Sequence, residues 1–326
     1  MKILAFAARQ DEITWFNKYS KKFNLDVTLE QKPLSPETVF LAKGYDSVTF
    51  IGSCTVDEVV LKKLKSYGID YIASRSTGYD NIDLNCAKEL GIKVSNSSYS
   101  PYSVAEFTLM TAMMMLRNIP ATLKNIEHKN FSLKNLIGRE IRSQKVGVIG
   151  TGKIGKIVIK LFQSMGADVV AYDLYESDEN IKYVSLEKLL SECDVITLHA
   201  PLTSENKYLI NEKSISKMKD GVILINTARG ELIKLSDLLE GLNNKKVLAA
   251  ALDTFEGESE IVHKDCSLTG YNHEILKKLL DMKNVLITSH QAFYTEEAVS
   301  DMVESALSNL IEFNKTGDAQ NNLIKI

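Results

Sequence analysis

One short glycine series, read with its flanks, restricts this chain more than anything else in it. Gly150, Gly152 and Gly155 form Gly-x-Gly-x-x-Gly, directly after the apolar run Lys145-Val146-Gly147-Val148-Ile149 and directly before helically spaced apolar residues at Ile157, Ile159, Leu161 and Phe162. In a strand–loop–helix context the first glycine permits a tight turn. The second lets backbone approach a pyrophosphate, and the third lets the helix pack close to the strand. The helix N-terminus then offers free N–H groups and a positive dipole end to phosphates. Asp173 ends the next apolar run, about twenty residues beyond the loop, where a carboxylate accepts hydrogen bonds from ribose hydroxyls. It would repel a 2′-phosphate, so NAD is expected rather than NADP. The plainer reading of Asp173 is a strand-end aspartate that opens a turn; its distance from the loop favours the ribose.

Around this motif, short apolar runs alternate with amphipathic stretches. Strands are expected at 2–7, 27–29, 48–51, 71–73 and 93–95, with helical spacing at 13–21, 56–67 and 84–90. Ser100-Pro101 reads as a helix start, a capping serine before a proline suited to the first turn, for a helix running to about residue 117. A more polar stretch, 118–144, interrupts the pattern. It restarts with strands at 145–149, 168–172, 195–198, 222–225, 247–251 and 285–288 and a long helix at 295–314. The expected class is α/β: two Rossmann-like or flavodoxin-like doubly wound parallel-sheet domains. The length of 326 residues suits two domains.

Bulk properties remove other classes. The net charge of −3 leaves no basic field for nucleic acid or membrane headgroups. The apolar stretch 104–116 is broken by Glu106, Thr108 and Thr111 and is shorter than the ~20 residues a membrane span needs, so it reads as a buried helix. Met113-Met114-Met115 within it reads as core filler. Cys54, Cys86, Cys193 and Cys266 are scattered, with no Cys-x-x-Cys pair, which suits free thiols in a reducing cytoplasm. No metal site is expected.

Three segments follow predicted strands on the ligand side of such a sheet: Asn226-Thr227-Ala228-Arg229-Gly230, Asp253-Thr254-Phe255-Glu256-Gly257-Glu258, and Thr288-Ser289-His290-Gln291-Ala292-Phe293-Tyr294. The fork of Arg229 suits carboxylate and carbonyl oxygens. His290 suits proton transfer near neutral pH, and Glu258 beside it would favour imidazolium and orient the ring. An isolated Arg or Glu is usually a solvated charge, and a lone histidine is often structural. His128, His199, His263 and His273 have no such partners in the sequence pattern.

With these segments, Arg75-Ser76-Thr77-Gly78-Tyr79-Asp80-Asn81-Ile82-Asp83 and Tyr99-Ser100-Pro101-Tyr102-Ser103-Val104-Ala105-Glu106, the chain resembles the D-isomer-specific 2-hydroxyacid dehydrogenases over nearly its whole length. The likeness is greatest to the D-lactate and D-2-hydroxyisocaproate types. The resemblance implies NADH-dependent reduction of pyruvate or a similar small 2-keto acid to the D-2-hydroxy acid, with Arg229, Glu258 and His290 as catalytic residues. It implies that backbone N–H groups of Thr77 and Gly78 bind the substrate carboxylate. Tyr99 matches a substrate-facing tyrosine, or else packs between domains. Phe293 and Tyr294 wall the substrate pocket, or else belong to the core of the last helix. Cofactor contacts carry over to Gly150, Gly152, Lys153, Ile154, Gly155, Asp173, Ala200, Pro201, Asn206, Thr227, Ala228 and Asp253. In the turn Leu198-His199-Ala200-Pro201, backbone rather than the imidazole is expected to matter.

The resemblance also implies a substrate domain of 1–100 plus 299–326, an NAD-binding domain of 101–298, an active site in the cleft between them, and a homodimer formed through the arm region 101–144. Two departures stand out. Ser289 replaces the usual proline before the histidine, removing a rigid backbone element. Ile51-Gly52-Ser53 is small where D-lactate-type relatives often carry polar or aromatic side chains. The alternatives are a D-2-hydroxyisocaproate-type enzyme for larger 2-keto acids and an NAD-sensing co-repressor. A co-repressor would carry extra disordered tails, and this chain ends soon after its last helix.

Overall fold

The computed structural model describes residues 1–324, so Lys325 and Ile326, at the end of the expected substrate segment, lie outside the described residues. The chain divides into two compact units, one formed by Met1–Ser100 with the segment from Tyr294 onward, the other by Pro101–Phe293.

The first unit is a five-stranded parallel sheet. Its strands are β1 (Lys2–Ala5), β2 (Asp26–Leu29), β3 (Ser47–Phe50), β4 (Tyr71–Ser74) and β5 (Lys93–Ser95), in the order β2-β1-β3-β4-β5. Helices α1 (Ile13–Phe23), α2 (Glu58–Ser66) and α3 (Leu84–Glu89) are the crossovers. The central strands are buried on both faces, β3 even at its polar residues Ser47 and Thr49. One face packs Val48, Phe50 and Ile72 against Val60, Leu61 and Leu64 of α2. The other packs Ile3, Ala5 and Ala73 against Phe16 of α1 and against Val303, Ala306, Leu307 and Leu310 of the closing helix, Glu296–Thr316. Each fully buried Leu, Ile or Phe here is worth about 1.5–3 kcal/mol.

The second unit opens with helices α4 (Tyr102–Leu116) and α5 (Ile119–Glu127). A six-stranded parallel sheet follows: β6 (Lys145–Ile149), β7 (Asp168–Tyr172), β8 (Val195–Leu198), β9 (Val222–Asn226), β10 (Val247–Leu252) and β11 (Val285–Ile287), in the order β11-β10-β9-β8-β6-β7. Its crossovers are α6 (Lys153–Ser164), α7 (Leu186–Glu192), α8 (Glu212–Lys217), α9 (Leu235–Asn243) and α10 (Glu274–Asp281). Chain direction across the sheet reverses between β6 and β8, and crevices at such switch points bind ligands. The glycine loop leaves β6, and Ala200-Pro201 leaves β8, so both stand at this point.

The structure differs from the sequence reading in particulars. The first helix of this unit starts at Tyr102 with Pro101, not Ser100, at its N-cap. The polar stretch after it contains α5, with Pro120 in its first turn, where the fixed φ of proline is tolerated. Met115 is buried, but Met113 is 39% exposed, so the methionine run is not uniformly core. No described helix is long and apolar enough to cross a membrane, and all four cysteines are free thiols.

Candidate active site

At the glycine loop the backbone is packed to its limit. A Cβ on Gly155 would stand 2.0 Å from the Gly150 carbonyl oxygen, so α6 lies directly on the turn. Gly150 has φ +95°, a left-handed conformation suited to glycine. Gly152 is the opposite case: it caps α6 in an extended conformation, and a Cβ there would meet no protein atom within 4 Å. That open space in front of a helix N-terminus, with Lys153 and Ile154 in its first turn, fits a pyrophosphate. The Asp173 Oδ2 accepts from the Thr151 backbone N–H at 2.6 Å and hydroxyl at 2.9 Å, and Oδ1 accepts from the Tyr175 N–H at 3.0 Å. Burial pushes its pKa up, but these hydrogen bonds outweigh it and hold the carboxyl below its usual range. Three of a carboxylate's about four acceptor positions are thus filled within the protein, so what Asp173 offers a ribose is chiefly its negative charge. Asp173→Ala is expected to lower the preference for NADH over NADPH, measured as a ratio of kcat/KM, by about tenfold or more.

The other nucleotide-side residues lie on strand ends of the same unit. Asn206 staples the turn after β8: its Nδ2–H donates to the Pro201 carbonyl at 2.7 Å and its Oδ1 accepts from the Thr203 N–H at 2.7 Å. His199, in that turn, shares a 2.9 Å hydrogen bond with the Thr197 hydroxyl, and burial pushes its imidazole down to about 3, keeping it neutral. Thr227 follows β9, its hydroxyl 3.0 Å from that of Thr108 on α4. The buried Asn226, not singled out from sequence, sets the Thr227-Ala228-Arg229 turn: its Nδ2–H donates to the Arg229 carbonyl at 2.9 Å and its Oδ1 accepts from the Ala228 N–H at 3.1 Å. The Arg229 Nη1–H donates to the Ala228 carbonyl at 2.8 Å.

His290 and Glu258 meet: Nδ1–H donates to the carboxylate Oε1 at 2.9 Å, and the other oxygen, Oε2, accepts from the Phe255 N–H at 3.2 Å. Engaging Nδ1 leaves Nε2 for another partner. Burial lowers the His290 pKa, but the bond to Glu258 and the charges of Glu258 and Asp253 overcome it, so the imidazole lies above its ordinary value. His290 has φ +53°, unusual for a residue with a side chain and held only where the surroundings over-determine it. Asp253 supplies that constraint. Its carboxylate accepts from the Thr288 hydroxyl at 2.6 Å and from the Gln291 and Ala292 N–H groups at 2.9 and 2.8 Å, while its carbonyl accepts from the His290 N–H at 2.9 Å. The rigidity lost with Ser289 in place of proline is thus provided from the neighbouring strand end. Phe293 is half-buried, its ring edge-on to His290 at 6.3 Å and to His263 at 6.4 Å. Tyr294 is 51% exposed and is not a core aromatic.

The remaining expected residues lie in the first unit, beyond the C-terminal ends of β4 and β5. The Thr77 hydroxyl donates to the Ser97 carbonyl at 2.9 Å, the Asn96 Nδ2–H donates to the Thr77 carbonyl at 2.8 Å, and the Ser76 hydroxyl donates to the Gly78 carbonyl at 2.9 Å. The Thr77-Gly78 loop is therefore held by its carbonyls. Beneath it the fully buried Arg75 grips Glu12 at 2.8 and 3.2 Å. Tyr99 is half-buried in the segment that follows β5. Among the described residues, no cluster of histidine, cysteine and acidic side chains is arranged to hold a metal.

Residues 109–292 match the family model described as D-isomer specific 2-hydroxyacid dehydrogenase, NAD binding domain. The chain is 45% identical to an aromatic 2-oxoacid reductase of Clostridium sporogenes and 39% identical to a D-lactate dehydrogenase of Lactiplantibacillus plantarum, in each case over 98% of both proteins. Among solved structures, a D-2-hydroxyisocaproate dehydrogenase superposes with a TM-score of 0.92 at 37% identity, covering 99% of each chain. A β/α sheet with a pyrophosphate cradle at the end of β6, an ion-paired histidine beyond β11 and family-level identity along the whole length lead to one conclusion: this chain belongs to the NAD-dependent D-isomer specific 2-hydroxyacid dehydrogenases.

Proposed function

We propose that the chain reduces a 2-oxo acid to the D-2-hydroxy acid with NADH, Arg229, Glu258 and His290 carrying the chemistry. Bound NADH supplies the hydride. His290 delivers the proton from Nε2 to the C2 oxygen, and Glu258 holds the imidazolium. Arg229 grips the substrate's carboxylate and carbonyl oxygens. Thr77 and Gly78 contribute N–H groups to the carboxylate, and Tyr99 and Phe293 line the side-chain pocket. The observation that carries the reading is the 2.9 Å Glu258–His290 bond, which commits Nδ1 and holds the imidazole above its ordinary pKa. Two copies of the chain form the working unit, through the arm region 101–144.

The first reading of the substrate is pyruvate, giving D-lactate. A second is a larger 2-oxo acid. It is favoured by the 45% identity to a protein named an aromatic 2-oxoacid reductase and by the small residues Ile51-Gly52-Ser53. A kcat/KM series over pyruvate, 2-oxobutyrate, 2-oxoisocaproate and phenylpyruvate, with chiral analysis of the product, separates the two. Each methylene a pocket is built to hold changes kcat/KM by about 10- to 200-fold. Pyruvate in the lead supports the first reading, and phenylpyruvate or 2-oxoisocaproate ahead by that margin supports the second. An L-product, or no turnover with any of the four, defeats both.

A further inference from the structure

Glu256, two residues before Glu258, is engaged at every polar group of its side chain and at its backbone carbonyl. Oε1 accepts the Tyr208 hydroxyl in a short hydrogen bond, and Oε2 accepts the Leu235 N–H at the start of α9 at 3.1 Å. The Glu256 carbonyl accepts Nε2–H of His273 at 2.8 Å, while Nδ1 of the same ring accepts the Leu276 N–H at 3.2 Å, capping α10. A carbonyl can only accept and an N–H can only donate, so His273 is the neutral Nε2–H tautomer. Tyr208 is itself set by its backbone: it has φ +56°, and its N–H donates to the Glu231 carbonyl at 2.7 Å. The carboxylate pushes the Tyr208 phenol up to about 12, so it remains a donor across the working range.

These bonds join two segments that the chemistry requires in register. One is Arg229–Leu235, which begins with the arginine. The other is Phe255–Glu258, which ends with the partner of His290. They also touch directly: a Cβ on Gly230 would stand 2.2 Å from the Phe255 carbonyl.

We propose that Glu256 is a positioning residue for the reaction: anchored by Tyr208, Leu235 and His273, it fixes the distance between the Arg229 turn and the Glu258–His290 pair without touching substrate. The inference rests on the roles given above to Arg229, Glu258 and His290. In the full-length enzyme, Glu256→Gln keeps the shape and removes the charge and one acceptor. Misplacement of a catalytic group by about 1 Å costs on the order of 100-fold, so kcat/KM for reduction should fall about 10- to 100-fold. NADH affinity should be unchanged. The pH midpoint of kcat/KM should shift down, in the direction given by Glu258→Gln, because a displaced Glu258 holds the imidazolium less well. Tyr208→Phe removes one anchor at no cost in volume and should shift both quantities the same way by less.

A Glu256→Gln enzyme that melts at lower temperature but keeps the wild-type pH midpoint and kcat/KM well below its melting point has lost only stability, and the proposal is wrong. If Glu256→Gln does not fold, Tyr208→Phe decides alone, and an unmoved midpoint overturns the idea. His290→Ala run alongside separates the two levels. Undiminished turnover there removes the triad reading and this inference with it, whereas a dead His290→Ala beside a wild-type Glu256→Gln removes only the inference.

Discussion

His290→Ala is expected to lower kcat/KM for 2-oxo acid reduction by about 10²- to 10⁴-fold, the range supplied by a positioned general acid, while NADH binds as in the wild type. The two effects separate because the glycine loop follows β6 whereas the histidine follows β11, with three strands between them in the sheet. Rate measured by NADH absorbance and affinity measured by nucleotide fluorescence test both halves. Turnover at wild-type level would remove His290 from the chemistry.

The pH dependence has a definite sign. Reduction consumes the protonated imidazole, so kcat/KM is level at low pH and falls as pH rises through the His290 pKa. Oxidation of the hydroxy acid runs the other way. Since His290 is held above the ordinary imidazole value, the fall should centre above about 6.5. The largest influence on this group is burial, which lowers its pKa, and Glu258 is what overcomes it. With Glu258→Gln the burial influence prevails, and the midpoint should drop below about 6.5. A midpoint unmoved by that substitution would show that the short Glu258–His290 bond does not govern the proton.

Much of this was legible along the sequence because it is encoded locally. The glycine spacing, the β-branched strand before it and the acid at the end of the next strand are read within one β/α/β segment. The second sheet's strands, 168–172 and 195–198 among them, are buried on both faces and so stand out as apolar runs. The polar framework behind the site was not legible. Asp253 binds the Ala292 N–H across 39 positions, and Glu256 meets Tyr208 across 48. Such pairs exist only after two strand ends become neighbours, and no local pattern distinguishes Glu256 from a solvated glutamate. His273 reads in the sequence as a histidine without partners, yet it bridges a helix cap and the Glu256 carbonyl. The left-handed backbone of His290 leaves no trace in residue type, because a glycine there could not do the chemistry. The short helices α7 and α8, of seven and six residues, span too few turns for a 3.6-residue period to declare itself.

The glycines at 152 and 155 should fail in different ways when each is changed to alanine. At Gly155 the added methyl would meet the Gly150 carbonyl at 2.0 Å, backbone against backbone with no flexible side chain to give way. Either α6 lifts from the turn or β6 and its loop move, and overpacking of this kind costs about 1–3 kcal/mol or more. For a unit of this size that is a fall in Tm of about 2–12 °C, together with loss of NADH affinity, because the N–H groups of the α6 first turn no longer point where the phosphates sit. At Gly152 the same methyl meets no protein atom within 4 Å, and φ is −66°, a value alanine adopts freely. Gly152→Ala should therefore fold with a Tm close to wild type in the absence of nucleotide and still bind NADH at least about tenfold more weakly, because the methyl occupies the space the pyrophosphate needs. Thermal unfolding of the nucleotide-free proteins and an NADH titration of each give the four values required. If Gly152→Ala binds NADH normally, the open space before α6 is not the pyrophosphate site. If Gly155→Ala melts and binds as the wild type does, the close approach of helix to turn does not limit this fold.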